Sequence, residues 1–219
     1  MILVVALTVR PWLSEARSVA HARQNTGGAD TLLNLNSFIL ILLSLIAGLV
    51  LYGFTGLYAT FLRESLHYAP KQAGFITGFY GAGALVSLVG GWLGDRFSPR
   101  VLLTTAFLGI ALVGYLCFNH VGSLVTQVIL TAAFGATASG VVFVNLVGYH
   151  VKAVRQELAS RASGLFVTSF YLAAATAGFL MGQLAGRLGW AHAELIQVSL
   201  LSVLGAILAL GLQPARMCL

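Results

Sequence analysis

Charge is what this sequence has least of: Asp, Glu, Lys and Arg together make up 8% of its 219 residues, against roughly a quarter in ordinary soluble domains. With 58% hydrophobic residues besides, the chain has too little polar surface to clothe a water-exposed fold, and a soluble globular domain is excluded. Cysteine is nearly absent. Cys117 lies within an apolar run and Cys218 at the extreme C-terminus, an arrangement that offers neither a disulfide framework nor a metal site. Proline is confined to Pro11, Pro70, Pro99 and Pro214, all in gaps between apolar runs, where a missing backbone N–H breaks no helix. Sequence patterns that carry chemistry are missing too: there is no Gly-x-Ser-x-Gly, no His-Glu-x-x-His, no Cys-x-x-Cys, and no glycine loop ending in Lys and Ser or Thr. No catalytic set, cofactor or metal is expected, and the protein is not expected to be an enzyme.

What the sequence has instead is length without charge. Uncharged apolar runs occupy residues 38–62, 73–94, 101–119, 121–149, 162–186 and 195–212, each near or above the roughly 17–25 residues a spanning helix requires. The expectation is an all-α membrane protein, a six-transmembrane-helix bundle over residues 37–212. Residues 1–9 are apolar but too short to span, and read as the stump of a helix. Residues 10–36 mix Arg, Glu, Asn, Gly and Asp and read as a flexible cytoplasmic segment, with 213–219 as a cytoplasmic tail.

The basic residues orient the bundle. One side carries Arg10, Arg17, Arg23, Arg96, Arg100, Lys152, Arg155, Arg161 and Arg216, the other only Arg63, Lys71 and Arg187. Cytoplasmic loops hold the excess of Lys and Arg, so both termini are expected in the cytoplasm of an inner, or plasma, membrane. The net charge of +6 is then explained by basic loops beside anionic lipid headgroups. The lipid bilayer is the expected partner, and nucleic acid is not.

The runs also repeat. "FITGFYGAGALVSLVGGWLGDR" at 75–96, laid over "FVTSFYLAAATAGFLMGQLAGR" at 166–187, gives nine ungapped identities in twenty-two positions. The second span thus returns as the fifth, in opposite orientation, as an inverted 3+3 repeat requires; such repeats build secondary transporters. Both copies are rich in small residues. At about 100° per residue, Gly74, Gly78 and Gly81 fall on one face of span two and Gly83, Gly90 and Gly94 on the opposite face, so that helix wants neighbours on both sides. In span five, Gly178, Gly182 and Gly186 oppose a polar row of Ser169, Thr176 and Gln183. Glycine rows of this kind serve either a partner domain or the bundle itself.

Immediately after span two stands Gly91-x-x-x-Asp95-Arg96-x-Ser98-Pro99-Arg100. It resembles the loop motif of the major facilitator superfamily, Gly-x-x-x-Asp-Arg/Lys-x-Gly-Arg-Arg/Lys, which in that family sits on the cytoplasmic side after the second span of a six-span half. Gly91, Asp95, Arg96 and Arg100 match, whereas Ser98 and Pro99 replace the family's Gly and basic residue. A worn motif, the stump followed by a loop-like segment, and "RASGLFVTSFYL", which resembles helix eleven, together resemble the C-terminal half of such a transporter, helices seven to twelve, in a truncated chain. The resemblance implies a permease that moves a small-molecule substrate by alternating access, completed by an N-terminal six-helix half or a second copy. It also implies a gating role for Gly91, Asp95, Arg96 and Arg100. Headgroup anchoring is the plainer role for Asp95 and Arg96, and a non-transporting membrane module or an inactive truncated product the plainer reading of the chain.

No Asp, Glu, Lys or Arg is expected well inside a span, so no coupling group is visible. On span four, His120, Gln127, Thr131 and Asn145 share an arc of about 60° and form a row that can face a watery cavity. On span one, Ser44, Tyr52 and Thr55 share a broader arc. The resemblance makes these two spans the cavity-lining helices seven and ten, with Tyr52, Thr55, Gln127, Thr131 and Asn145 as candidate substrate contacts. Hydrogen bonds between helices are the competing use of the same side chains.

Overall fold

The structure, a computed structural model, describes residues 28–120 and 122–218; the stump at 1–9 and residues 10–27 lie outside them. Six helices long and apolar enough to cross a membrane follow one another: span one, Leu35–Glu64; span two, Pro70–Arg96; span three, Pro99–Asn119; span four, Leu124–Lys152; span five, Gln156–Leu188; and span six, Trp190–Ala209.

All but span five begin where the sequence supplies a start signal. The Asn34 side chain accepts from the Ser37 N–H at 3.0 Å and starts span one at Leu35, two residues before the expected 37. Ser98 and Ser123 cap spans three and four in the same way. Pro70 and Pro99 occupy opening positions of spans two and three, where a missing N–H costs nothing. Gly189, with φ of 81°, lets the chain leave span five and enter span six without a linker. Spans four and six are not uniform: both carry π-helical stretches, Ala136–Phe143 and Leu195–Leu200.

Span one packs chiefly on span five, span two on span four, and span three on span six. Exchanging spans one, two and three with four, five and six leaves this set of pairs unchanged, which a two-fold relation between the two triplets requires. The two glycine faces of span two have different fates. A Cβ on Gly83 would strike the Ala132 carbonyl, and one on Gly90 the Gly140 carbonyl, so this face lies backbone to backbone on span four. A Cβ on Gly74, Gly78 or Gly81 would meet nothing within 4 Å. Gly178 and Gly186 on span five are equally open.

The core is aromatic. Phe54 stacks between Phe134 and Tyr58, with ring centroids 3.8 and 4.4 Å away, and Phe118 closes edge-on against Phe54 and Tyr58.

At the end that carries the loop motif, residues before and after the bundle are tied down. Ala29 exchanges backbone hydrogen bonds with Ala153 and Arg155, at 3.3 and 3.1 Å. Asp30 pairs with Arg155, and the Cys218 N–H reaches the Lys152 carbonyl at 2.8 Å. Residues 28–34 are therefore not the free segment expected from composition. The turn after span four offers unpaired backbone groups that hold them.

Candidate substrate cavity and gating motif

The expected polar row of span four turns inward. Gln127 is fully buried; its Oε1 accepts from the Tyr58 hydroxyl and its Nε2 donates to the His120 carbonyl at 3.1 Å. Thr131, also fully buried, donates to the Gln127 carbonyl at 2.7 Å. Asn145 donates to the carbonyls of Gly90 and Val141, at 2.8 and 2.9 Å, and thereby joins spans two and four. Ser44 is buried against His150, 3.0 Å from its Nε2. These groups spend their polarity on the bundle, because satisfied polar contacts in a low-dielectric interior outweigh an open row. Only His120 is exposed, and it belongs not to span four, as expected, but to the end of span three, because span four starts at Leu124 after the Ser123 cap. In span five Ser169 turns inward and bonds to its own helix, so the row opposite the glycines is not continuous.

Tyr52 and Thr55 lie elsewhere. They line an open cavity of about 250 Å³ together with Leu51, Tyr80, Ser139, Phe143, Phe170 and Tyr171, slightly below the roughly 300–1,000 Å³ of ordinary small-molecule sites. Four spans contribute. Tyr52, Tyr80, Ser139 and Tyr171 each lie within about three residues of the middle of spans one, two, four and five, the depth at which secondary transporters bind solute. The π-helical stretch supplies Ser139 and Phe143: with more than four residues per turn, side chains four apart stay nearly in line.

Tyr80 and Tyr171 occupy equivalent positions in the repeated Phe-x-Thr-x-Phe-Tyr, and both reach this cavity. Helical arcs on single spans did not mark either tyrosine, and their shared place in the repeat is the one sequence signal that could have done so. Tyr80 is hydrogen-bonded to Ser139. The rings of Tyr52 and Tyr171 stand 6.3 Å apart at 64° and both meet Phe170 edge-on.

The motif residues point in separate directions. Asp95 is paired with Lys152 at 2.8 Å, not with either neighbouring arginine. Arg96 lies over the Trp92 ring, 5.2 Å from its centroid. Arg100 donates twice to the Leu212 carbonyl, at 3.0 and 2.6 Å, and so ties the start of span three to the segment just beyond span six. A Cβ on Gly91 would meet nothing within 4 Å. Asp95, Arg96 and Lys152 share a second open pocket with Gly94, Phe97 and Ser98.

One acidic residue is buried near the start of a span. Glu194 is fully buried on span six, accepting from the Ser199 hydroxyl and, at 3.3 Å, from Asn119 Nδ2. Span six starts at Trp190, not 195, so Glu194 lies in its second turn, short of the middle of the span. The positive φ of Gly189 lets the helix restart before the apolar run begins. No cation pairs with Glu194 among the described residues.

Residues 40–216 match the family model of the Major Facilitator Superfamily. Among solved structures, a peptide transporter POT mutant in complex with sulfate is similar over 82% of this chain, with a TM-score of 0.69 and 17% sequence identity. The same transporter with alafosfalin gives 0.70 and 16%, and the POT family transporter PepTSo gives 0.63 and 20% over 80% of this chain. The chain spans 39, 38 and 36% of the length of those three chains, respectively. No curated protein matches it in sequence.

Proposed function

The chain belongs to the major facilitator superfamily, and from that membership we propose that it forms the C-terminal six-helix half of a secondary transporter that moves a small solute by alternating access. The observation that carries the reading is the cavity at mid-span depth, lined from spans one, two, four and five and containing both repeat-related tyrosines. A cavity placed there, open on one side, is half of a central solute site. The open face of Gly74, Gly78 and Gly81, with Gly178 and Gly186 on span five, supports a second six-helix half packed across it. Tyr52 and Thr55 then touch solute, whereas Gln127, Thr131 and Asn145 hold the wall in shape.

Gly91, Asp95, Arg96 and Arg100 work at the cytoplasmic end of this half. Arg100 fixes the bundle, and Asp95 with Lys152 forms an exposed pair that can exchange partners when the halves rock. Peptides, named for the matched transporters, carry charged termini; no charged side chain lines this wall among the described residues, and peptide transport is not carried over.

Access to the cavity tests the reading. In a Cys218→Ser background, the thiol introduced by Thr55→Cys should react with a small water-soluble methanethiosulfonate in proteoliposomes, while one introduced by Thr131→Cys should not. An inert thiol at position 55 would remove the cavity from consideration as a solute site.

A further inference from the structure

The chemistry of the cavity wall narrows its ligand, on the premise that this cavity is the solute site. Apart from Leu51, its side chains divide into hydroxyls and rings. Tyr52, Thr55, Tyr80, Ser139 and Tyr171 offer O–H groups, while Phe143 and Phe170 offer only aromatic surface. No Asp, Glu, Lys, Arg or His lines it among the described residues. A wall so composed treats charged and uncharged solutes very differently. Removing an ion from water is costly even after relaxation, and that cost is recovered only where an opposite charge or several charge-assisted hydrogen bonds wait. Cation–π attraction to the tyrosine faces is weaker than that cost.

Ring arrangement favours an aromatic solute over an aliphatic one. Phe143 and Phe170 lie 5.1 Å apart at 67°, Phe170 and Tyr171 5.3 Å apart at 86°, and Tyr52 and Phe170 5.9 Å apart at 72°. The rings alternate edge and face around Phe170. An added planar ring continues that pattern, meeting an edge with its face or a face with its edge, and each such contact is favourable beyond the area it buries. The hydroxyls are not all saturated by one another: Thr55 donates to the Leu51 carbonyl at 2.9 Å and keeps its lone pairs. Tyr52 and Tyr171 are 41% and 48% exposed.

We propose that this half of the transporter recognises an uncharged aromatic solute bearing a hydroxyl or comparable hydrogen-bonding group. The ring lies against Tyr52, Phe170 and Tyr171, and the polar group reaches the Thr55, Tyr80 and Ser139 hydroxyls.

A shape-matched set of probes tests the class: 3-phenylpropanol, 3-phenylpropionate, 3-phenylpropylammonium and 3-cyclohexylpropanol. The readout is protection of the Thr55→Cys thiol in the full chain, in lipid, against methanethiosulfonate at increasing probe concentration. 3-Phenylpropanol should protect at a concentration about tenfold below either ion and several-fold below the cyclohexyl alcohol. Tyr171→Leu should abolish the preference for the phenyl over the cyclohexyl ring, and Tyr171→Phe should retain it. Protection by the carboxylate or ammonium probe at equal or lower concentration overturns the class and leaves the cavity as the solute site. Equal protection by the phenyl and cyclohexyl alcohols overturns the aromatic requirement. A thiol that reacts freely and is protected by no probe overturns the proposal, and a thiol that never reacts overturns the cavity reading beneath it.

Discussion

Lys152 holds the Asp95 carboxylate at 2.8 Å, and this pair joins the end of span two to the end of span four across an exposed surface. The carboxylate that the sequence places beside two arginines therefore binds neither. Arg96 is drawn onto Trp92 and Arg100 onto the Leu212 carbonyl just beyond span six. A pair in contact with water contributes little to stability and exchanges partners easily.

Asp95→Asn should leave the melting temperature of the chain nearly unchanged and, in a complete transporter, slow transport by about tenfold or more with equilibrium solute binding altered by no more than a few-fold. Swapping the charges with Asp95→Lys and Lys152→Asp should restore part of the rate. Loss of binding with normal turnover of bound solute would assign Asp95 to the solute site instead.

Glu194 makes a stability prediction that separates charge from shape. Its partners Ser199 and Asn119 are neutral donors. Glu194→Gln keeps a hydrogen-bonding oxygen and should cost less than about 1 kcal/mol, while Glu194→Ala leaves a void, with Ser199 and Asn119 keeping only the Ala111 and Tyr115 carbonyls as acceptors, and should cost about 2–4 kcal/mol. Thermal unfolding in detergent measures both. Equal losses in the two variants would mean that the carboxylate charge, not its hydrogen bonds, holds spans three and six together.

The two glycine faces of span two should respond differently to a methyl group. Gly83→Ala and Gly90→Ala force the backbones of spans two and four apart, and each should destabilise by about 1–3 kcal/mol. Gly74→Ala and Gly78→Ala face open space and should leave unfolding of the isolated chain unchanged. Larger side chains at Gly178 and Gly182 should act on assembly: both replaced by Leu should weaken co-purification with a six-helix partner or second copy. Unaltered association with normal transport would confine that glycine row to packing within the bundle.

Orientation is tested by labelling in intact cells. Single thiols introduced by Ser98→Cys and Arg155→Cys, both exposed at the motif end, should be shielded from an impermeant maleimide, and one introduced by Ala69→Cys should react. The reverse pattern would invert the topology drawn from the basic residues.

The sequence by itself determined the spans, their number and the family, because those rest on local quantities. About twenty uncharged residues must cross a bilayer whatever they pack against. Ser98, Ser123 and Pro99 start helices through bonds to their own neighbours, and the Gly91 to Arg100 motif is readable in a single stretch. Tertiary structure decided what each face of a helix meets. Gln127, Thr131 and Asn145 share an arc that periodicity places correctly, but periodicity does not say whether the arc faces a cavity or the neighbouring helix. Packing against spans one and two took them into the bundle. Only assembly brought Tyr80 and Tyr171 into one cavity from spans separated by ninety residues. Glu194 joined span six because the helix restarts at Trp190 after the positive φ of Gly189, a torsional choice that apolar length does not record. Local composition fixes which segments leave water, whereas the partners they find there depend on contacts distant in the chain.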